Sequence, residues 1–262
     1  MARALLPDDL WSEIGPLLPP PRPRPKGGRR PIENRVALTG ILFVLRSGRP
    51  WEMLPAEMGC GSGITCWRRL RDWQEAGVWA RLHQVLLGRL HAASQLDWSR
   101  ASLDSASVPA KKGGSATGPN PTDRGKAGTK RHLVVDARGT PLALTFTGAN
   151  RHDSVMMAPT LDAIPPVRNA RRGRSRRRPH KLNADKAYDA RARRQECRAR
   201  GIVPRIARRG IDSSERLGRH RWVVERTHAW FNRFLRLPVR YERRADIYQA
   251  LTRFAASLIT LK

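Results

Sequence analysis

The sequence predicts an all-α domain over residues 1–95 followed by an α/β domain over 96–262, in which a mixed sheet is flanked by helices. Three observations predict it. Apolar residues recur at helical spacing through the first part. After Asp97 the texture changes to short β-rich runs alternating with helical ones. The apolar share, 40% of 262 residues, is enough for a packed core.

In the first part, residues 5–18 (LLPDDLWSEIGPLL) predict an amphipathic helix with Asp8 or Asp9 as cap and an apolar stripe of Leu10, Trp11, Ile14, Leu17 and Leu18. The proline-rich basic stretch 19–31 breaks it and predicts an extended linker. A second helix is predicted over 32–46, ended by Gly48 and Pro50. A helical turn at 55–58, the glycine turn GCGSG and a third helix over 64–76 together describe a helix-turn-helix. Arg68, Arg69 and Arg71 face outward between Ile64, Trp67, Leu70 and Trp73, which predicts a recognition helix for a major groove. A helix over 78–93 closes this part.

In the second part, residues 98–108 predict a strand and 111–130 a glycine- and proline-rich basic loop. Residues 131–148 predict a hairpin turning at D-A-R-G-T-P, where Asp136 serves the turn. A helix over 153–164 is capped by Asp153 or Ser154. An arginine tract over 168–181 leads into a strand at 180–185. Asp189 caps a helix over 190–200, a strand follows at 201–207, and helices run over 219–235 and 245–261. A hairpin followed by α/β alternation is a ribonuclease-H-like arrangement, a pattern that several other α/β folds share.

Lysine and arginine number 51 against 22 aspartates and glutamates, a formal net charge of +29. Such an excess costs stability by self-repulsion unless a polyanion neutralises it. Nucleic acid is the expected polyanion, because basic side chains that neutralise phosphates release condensed counterions. A membrane surface would need an amphipathic anchor or a lipidation signal, and the sequence shows neither. No apolar run is long enough to span a bilayer and the first residues make no signal peptide, so a cytoplasmic, nucleoid-associated protein is expected. Cys60, Cys66 and Cys197 have no paired spacing and are expected as buried free thiols. The tract Arg171, Arg172, Arg174, Arg176, Arg177 and Arg178 cannot build a core; it is expected to be mobile alone and to clamp phosphates.

Phosphodiester chemistry needs an activated oxygen nucleophile and a stabilised leaving oxyanion, and two divalent ions held by carboxylates can provide both. Asp104 and Asp185 each follow a short apolar run that opens into a polar segment. Glu225 lies beside Val223 and Val224 on a helix that could cross the sheet edge where the two aspartates meet. Spacing alone leaves this trio open, since an aspartate at a strand end commonly forms a turn or caps a helix. The histidines His83, His91, His220 and His228 have no metal-ligand spacing and are expected to be structural or phosphate-facing.

The segments LPDDLW, ILFVLRSGRPWEMLP and GCGSGITCWRRLRDWQEAGVW, then LDSASV, TGPNPTDRGKAGTKRHLVVDARGTPLAL, ANRHDS, ADKAYD, IARRGIDSSERLGRHRWVVERTHAW and VRYERRAD, resemble in order the DDE transposases of bacterial insertion sequences of the IS-five family. The resemblance runs almost end to end. It implies a ribonuclease-H-like catalytic domain behind a helical DNA-binding domain. It implies Asp104, Asp185 and Glu225 as the catalytic and metal-holding residues, two Mg²⁺ ions with Mn²⁺ as a substitute, and double-stranded DNA, both element ends and target, as partner. Self-association in the DNA complex is expected. Hydrolysis at the terminal inverted repeat would free a 3′ hydroxyl that attacks target DNA. Arg221 is expected on a phosphate, and DNA contacts are expected from Arg68, Arg69, Arg71, Lys126, Lys130, Arg171, Arg172, Arg176, Lys186, Arg226 and Arg233. The sequence departs from the family pattern at Ala187, Pro109, Gly218, His228 and Leu235; none removes a metal carboxylate. The rival readings are a DNA-binding regulator that never cuts and a catalytically decayed copy.

Overall fold

The computed structural model describes residues 5–20, 31–168, 174–211 and 214–261, the side chains of 214–221 excepted. Helix α1 (Asp8–Ile14) passes into a 3₁₀ turn at Gly15–Leu17. Its N-cap is Pro7, and the two aspartates sit in the first turn, where negative charge favours the exposed N–H groups. Helix α2 (Asn34–Ser47) ends on Gly48 in the left-handed conformation, which only glycine enters without a steric cost. A 3₁₀ turn at Ala56–Met58 and the glycine turn lead into α3 (Gly63–Glu75), capped by Ser62, whose hydroxyl accepts from Thr65 N. At Gly63 a Cβ would overlap the Trp51 carbonyl, so this turn needs a glycine. Helix α4 (Val78–Ala92) follows directly.

The apolar face of α3 is Cys66, Leu70 and Trp73. Ile64 stands 51% exposed, contrary to its expected place in the core, because at 3.6 residues per turn it falls on the side of α3 opposite Cys66, Leu70 and Trp73. All three cysteines are buried and free.

The sheet contains strands β1 (Ala101–Pro109), β2 (Gly118–Pro119), β3 (Ala127–Asp136), β4 (Pro141–Gly148), β5 (Lys181–Ala184) and β6 (Val203–Ile206). Spatial order is β4-β3-β1-β5-β6, with β2 beside the start of β3. The pairs β1–β3 and β3–β4 are antiparallel, whereas β1–β5 and β5–β6 are parallel. The mixed sheet is thus as expected. Strand β3 starts four residues earlier than the basic loop suggested, so Lys130 is a strand residue. Between the hairpin and β5 lie a 3₁₀ turn (Asp153–Met156) and α5 (Met157–Asp162); His152 is the cap, rather than Asp153 or Ser154. Helix α6 (Arg191–Ala199) carries the β5-to-β6 crossover. Its N-cap is Ala190. Asp189 instead pairs with Arg194 at 2.7 Å and accepts from Arg209 N at 2.9 Å, so it ties the loop after β6 to the crossover.

The two sheet faces bury different partners. Leu103, Val134, Leu182 and Ala184 face Met157, Leu161 and Cys197 of α5 and α6. Leu133, Val135 and Leu144 face α7 (Ser214–Asn232) and α8 (Ala245–Thr260). That second cluster continues into α1 to α4, because α8 packs against β4 on one side and α3 and α4 on the other. The Trp79 and Phe254 rings lie 4.8 Å apart at this junction.

Arg240 is buried within the segment between α7 and α8. Its Nε donates to Glu242 O, Nη1 to Thr129 Oγ1, and Nη2 to Ser115 O and Arg243 O. A neighbouring buried pair, Arg236 to Glu242 at 2.7 Å, adds donations from Arg236 to the Gly48 and Arg49 carbonyls. Five donors in a planar fork suit such a carbonyl-lined site.

Candidate active site

Strand register places the two aspartates. Ser102 pairs with Asn183 across the parallel β1–β5 ladder. Two residues further on, Asp104 continues β1 and Asp185 follows the end of β5, so the register brings both to the same end and face of the sheet. Asp104 sits opposite Leu133 on β3, hence on the sheet face that α7 covers. Both carboxylates are half-buried. Asp104 Oδ1 accepts from Ser105 N at 2.8 Å. Asp185 remains extended and caps the turn Lys186–Tyr188, accepting from Ala187 N at 2.9 Å.

Helix α7 packs across β1, β3 and β5 through Val223, Val224, Thr227 and Phe231. Thr227 Oγ1 donates to Gly139 O at 2.8 Å and Arg226 Nη2 donates to Arg138 O. These bonds fix one flank of the helix at the β3–β4 turn. At 3.6 residues per turn, Glu225 falls on the opposite flank, toward β1 and β5, where it is exposed. Among the described residues no group of three His, Cys, Asp or Glu side chains closes to metal-holding distance. The register therefore joins Asp104 with Asp185, and Glu225 stands over the same face without closing on them. Two adjacent half-exposed carboxylates offer the hard oxygen donors that magnesium prefers and leave room for further ligands.

Beneath α7, Arg131 is fully buried, 4.6 Å from the Phe231 ring centroid and with Nη2 3.3 Å from His228 Nδ1. Burial, and then the Arg131 charge, push His228 down to about 3. Burial likewise holds His132 and His83 down to about 4. His228 is thus a structural residue. These rings are neutral in the fold, whereas the unfolded chain protonates below about pH 6.5. Each contributes stability that is full above that pH and is lost as pH falls toward 4, by about 1.4 kcal/mol per pH unit per ring. Urea unfolding of the parent is therefore expected to weaken steeply between pH 6.5 and 5. His228→Phe should flatten that dependence by about one proton; an identical slope would show that His228 is already charged in the fold.

Asp136 is buried in the hairpin turn as expected, accepting from Thr140 N at 2.7 Å, Arg138 N and Asp97 N. Burial raises its carboxyl above the usual range.

The expected DNA contacts divide by what already holds them. Arg68 and Arg233 are exposed. Lys126 is 3.8 Å from Asp123 and largely exposed. Arg69 donates to Ile32 O. Arg71 is held by Asp72 at 2.7 Å and stacks on Trp67. Lys130 is held by Asp153 at 2.9 Å. Lys186 is half-buried in the turn after Asp185. Arg226 lies between the Trp222 and Trp230 rings. Arg171, Arg172 and the Arg221 side chain lie outside the described residues. The expectation of an untethered tract is corrected at its described end. Arg176 stacks on Trp98, Arg177 donates to Ile164 O and Arg178 to Arg200 O. Carbonyl acceptors and an aromatic ring offset the mutual repulsion there, and they lie toward α5 and α6 rather than toward the aspartates.

Sequence reading missed Arg100, Lys181 and Arg205, which line a cavity of about 320 Å³ with Ser99 and Asn183. The alternation Lys181, Asn183, Asp185 was a signal for it, since residues two apart on a strand share a face.

The fold is that of an α/β protein whose mixed sheet carries two aspartates at one end of its inner strands, on the face that α7 covers. Comparison with known families identifies it. Residues 99–259 match the family described as "Transposase DDE domain", and residues 6–83 match the one described as "Putative transposase of IS4/5 family". The chain belongs to the DDE transposases of the IS4/5 family. It is similar to the "Insertion element IS402 uncharacterized 16.2 kDa protein" of Burkholderia cepacia, 60% identical over 123 residues that cover 46% of this chain and 84% of the relative. It is also similar to the "Putative transposase for insertion sequence element IS402" of the same organism, 51% identical over 143 residues, 55% of this chain and 67% of the relative. No helix among the described residues is long and apolar enough to cross a membrane.

Proposed function

We propose that this transposase binds the terminal inverted repeats of an insertion sequence and catalyses DNA strand cleavage and strand transfer at Asp104, Asp185 and Glu225. The observation that carries the reading is the β1–β5 register, which sets Asp104 beside Asp185 on the face that α7 crosses. The sheet order β4-β3-β1-β5-β6, with its antiparallel hairpin and parallel crossover, supports a ribonuclease-H-like catalytic domain over 96–262. Asp104 and Asp185 would hold two Mg²⁺ ions, or Mn²⁺ in their place, with Glu225 completing one site. When bound, such ions supply Lewis acidity to the phosphoryl oxygens and an activated oxygen nucleophile. The chain's own share is to fix the carboxylates on a rigid sheet and to hold the DNA by its phosphates, so that charge is preorganised where it develops. Double-stranded DNA is the partner, and two copies of the chain would bring two element ends together. The protein works on the nucleoid in the cytoplasm.

The test is mobilisation. The chain supplied in trans to a plasmid-borne marker between the element's ends should excise and reinsert it; a chain that never mobilises the marker would leave the regulator or decayed-copy reading. Residues 1–95 serve as the helix-turn-helix that reads the ends, through α3. Arg68, exposed on that helix, is the expected base-edge contact, worth about 1–3 kcal/mol. Arg68→Ala in the full chain should lower the preference for the terminal repeat over random DNA about tenfold in a gel shift. Equal preference in variant and parent would remove Arg68 from sequence reading.

A further inference from the structure

Helix α6 covers one face of β6 while α5 covers the same side of β3 and β4, and α7 packs on the other face of β1, β3 and β5. Beyond α7 that face of β6 is exposed among the described residues. Val203 and Arg205 of β6 are exposed, whereas Ile206, facing the other way, is buried. The open face is basic. Arg205 is the register partner of Asn183, and Lys181 precedes Asn183 by two residues on the same face. Arg100 and Ser99, just before β1, complete the lining of the 320 Å³ cavity. Asn183 is fixed in place by donating to the Ala101 carbonyl. Asp97 accepts from Ser99 N at 2.9 Å and feels the Arg100 charge. Neither the Lys181 nor the Arg205 side chain is held by a carboxylate there. Three cations around one cavity repel one another unless an anion joins them.

The cavity lies toward the start of β5, on the sheet face that carries the aspartate pair at its other end. Lys181 and Asn183 of β5 and Asp185, which follows its end in an extended conformation, share one face, with steps of about 6.6 Å. From Lys181 to Asp185 is roughly 13 Å, about four nucleotide steps along a duplex axis. We propose that Arg100, Lys181 and Arg205, with Ser99 and Asn183, form a phosphate-backbone site for duplex DNA that adjoins the phosphate presented to Asp104 and Asp185. The site reads no bases: it offers short polar groups and cations at a sheet face that admits no helix into a groove, and it fixes where the strand enters. This rests on the proposed assignment of the aspartates as the catalytic centre.

The test uses the full chain, a short random-sequence duplex and no divalent ion. Each lost phosphate contact reduces the slope of log K against log salt by about 0.9. Replacing Arg100, Lys181 and Arg205 together by Gln should flatten that slope by about 2 to 3. Arg205→Glu alone should flatten it by about 1 or more, which covers the case in which the triple variant fails to fold. Arg191→Gln with Arg198→Gln, on α6 across the sheet, should leave it unchanged. An unchanged slope in the first two variants, or an equal loss per charge in the α6 pair, would overturn the site. Because no cleavage is read, the result is independent of the carboxylate assignment. If the assignment also holds, the Arg205→Glu chain should cut at displaced positions in Mg²⁺.

Discussion

Asp185→Ala is expected to abolish strand cleavage and joining in Mg²⁺ while leaving binding of the element's ends within a few fold. Asp104→Ala should do the same, because the β1–β5 register makes the two carboxylates one unit. On the proposed assignment, removing either would take away an oxygen ligand for the ions, and such ions supply several kcal/mol of transition-state stabilisation, roughly a 10²- to 10⁴-fold loss of rate. Glu225→Ala should also lose cleavage. Glu225 is exposed on α7, so its removal should leave the melting temperature unchanged and separate chemistry from folding. Joining by the Asp185→Ala chain at the parental rate would place the metal site elsewhere.

Arg240→Ala is expected to cost the fold about 3–5 kcal/mol. The substitution takes their donor from the Ser115 and Glu242 carbonyls, at about 1–3 kcal/mol for each group left unsatisfied, while Arg243 O keeps Ser115 N and Thr129 Oγ1 keeps Ala116 O. It also opens a cavity beside Tyr248, whose ring lies 5.7 Å from the guanidinium. For a chain of this size the melting temperature should fall by roughly 10 °C. Arg243→Ala, at an exposed side chain of the same segment, should stay within about 0.5 kcal/mol of the parent. A melting temperature for Arg240→Ala within a degree or so of the parent would show that water replaces the guanidinium without cost.

Local chemistry made much of this protein legible in its sequence. Gly48 ends α2 and Ser62 begins α3 because each acts through its own backbone or its nearest neighbours. The turn role of Asp136 is local for the same reason, as three of its four nearest bonds fall within four residues. The family of the chain was legible because its motifs stand in order. Where a contact spans distant segments, sequence periodicity could not decide it. Asp189 looks like a helix cap until the loop after β6 brings Arg209 to it. Ile64 and Trp67 share a spacing with Leu70, yet only the positions that meet α2 and α8 are buried. The pairing of Asp104 with Asp185 is a matter of β1–β5 register, which is set across 81 residues by which faces are apolar. Arg240 reads as one more basic residue in a chain of net charge +29. Only the tertiary structure, by surrounding it with carbonyl oxygens from the loop after β1, makes it part of the core.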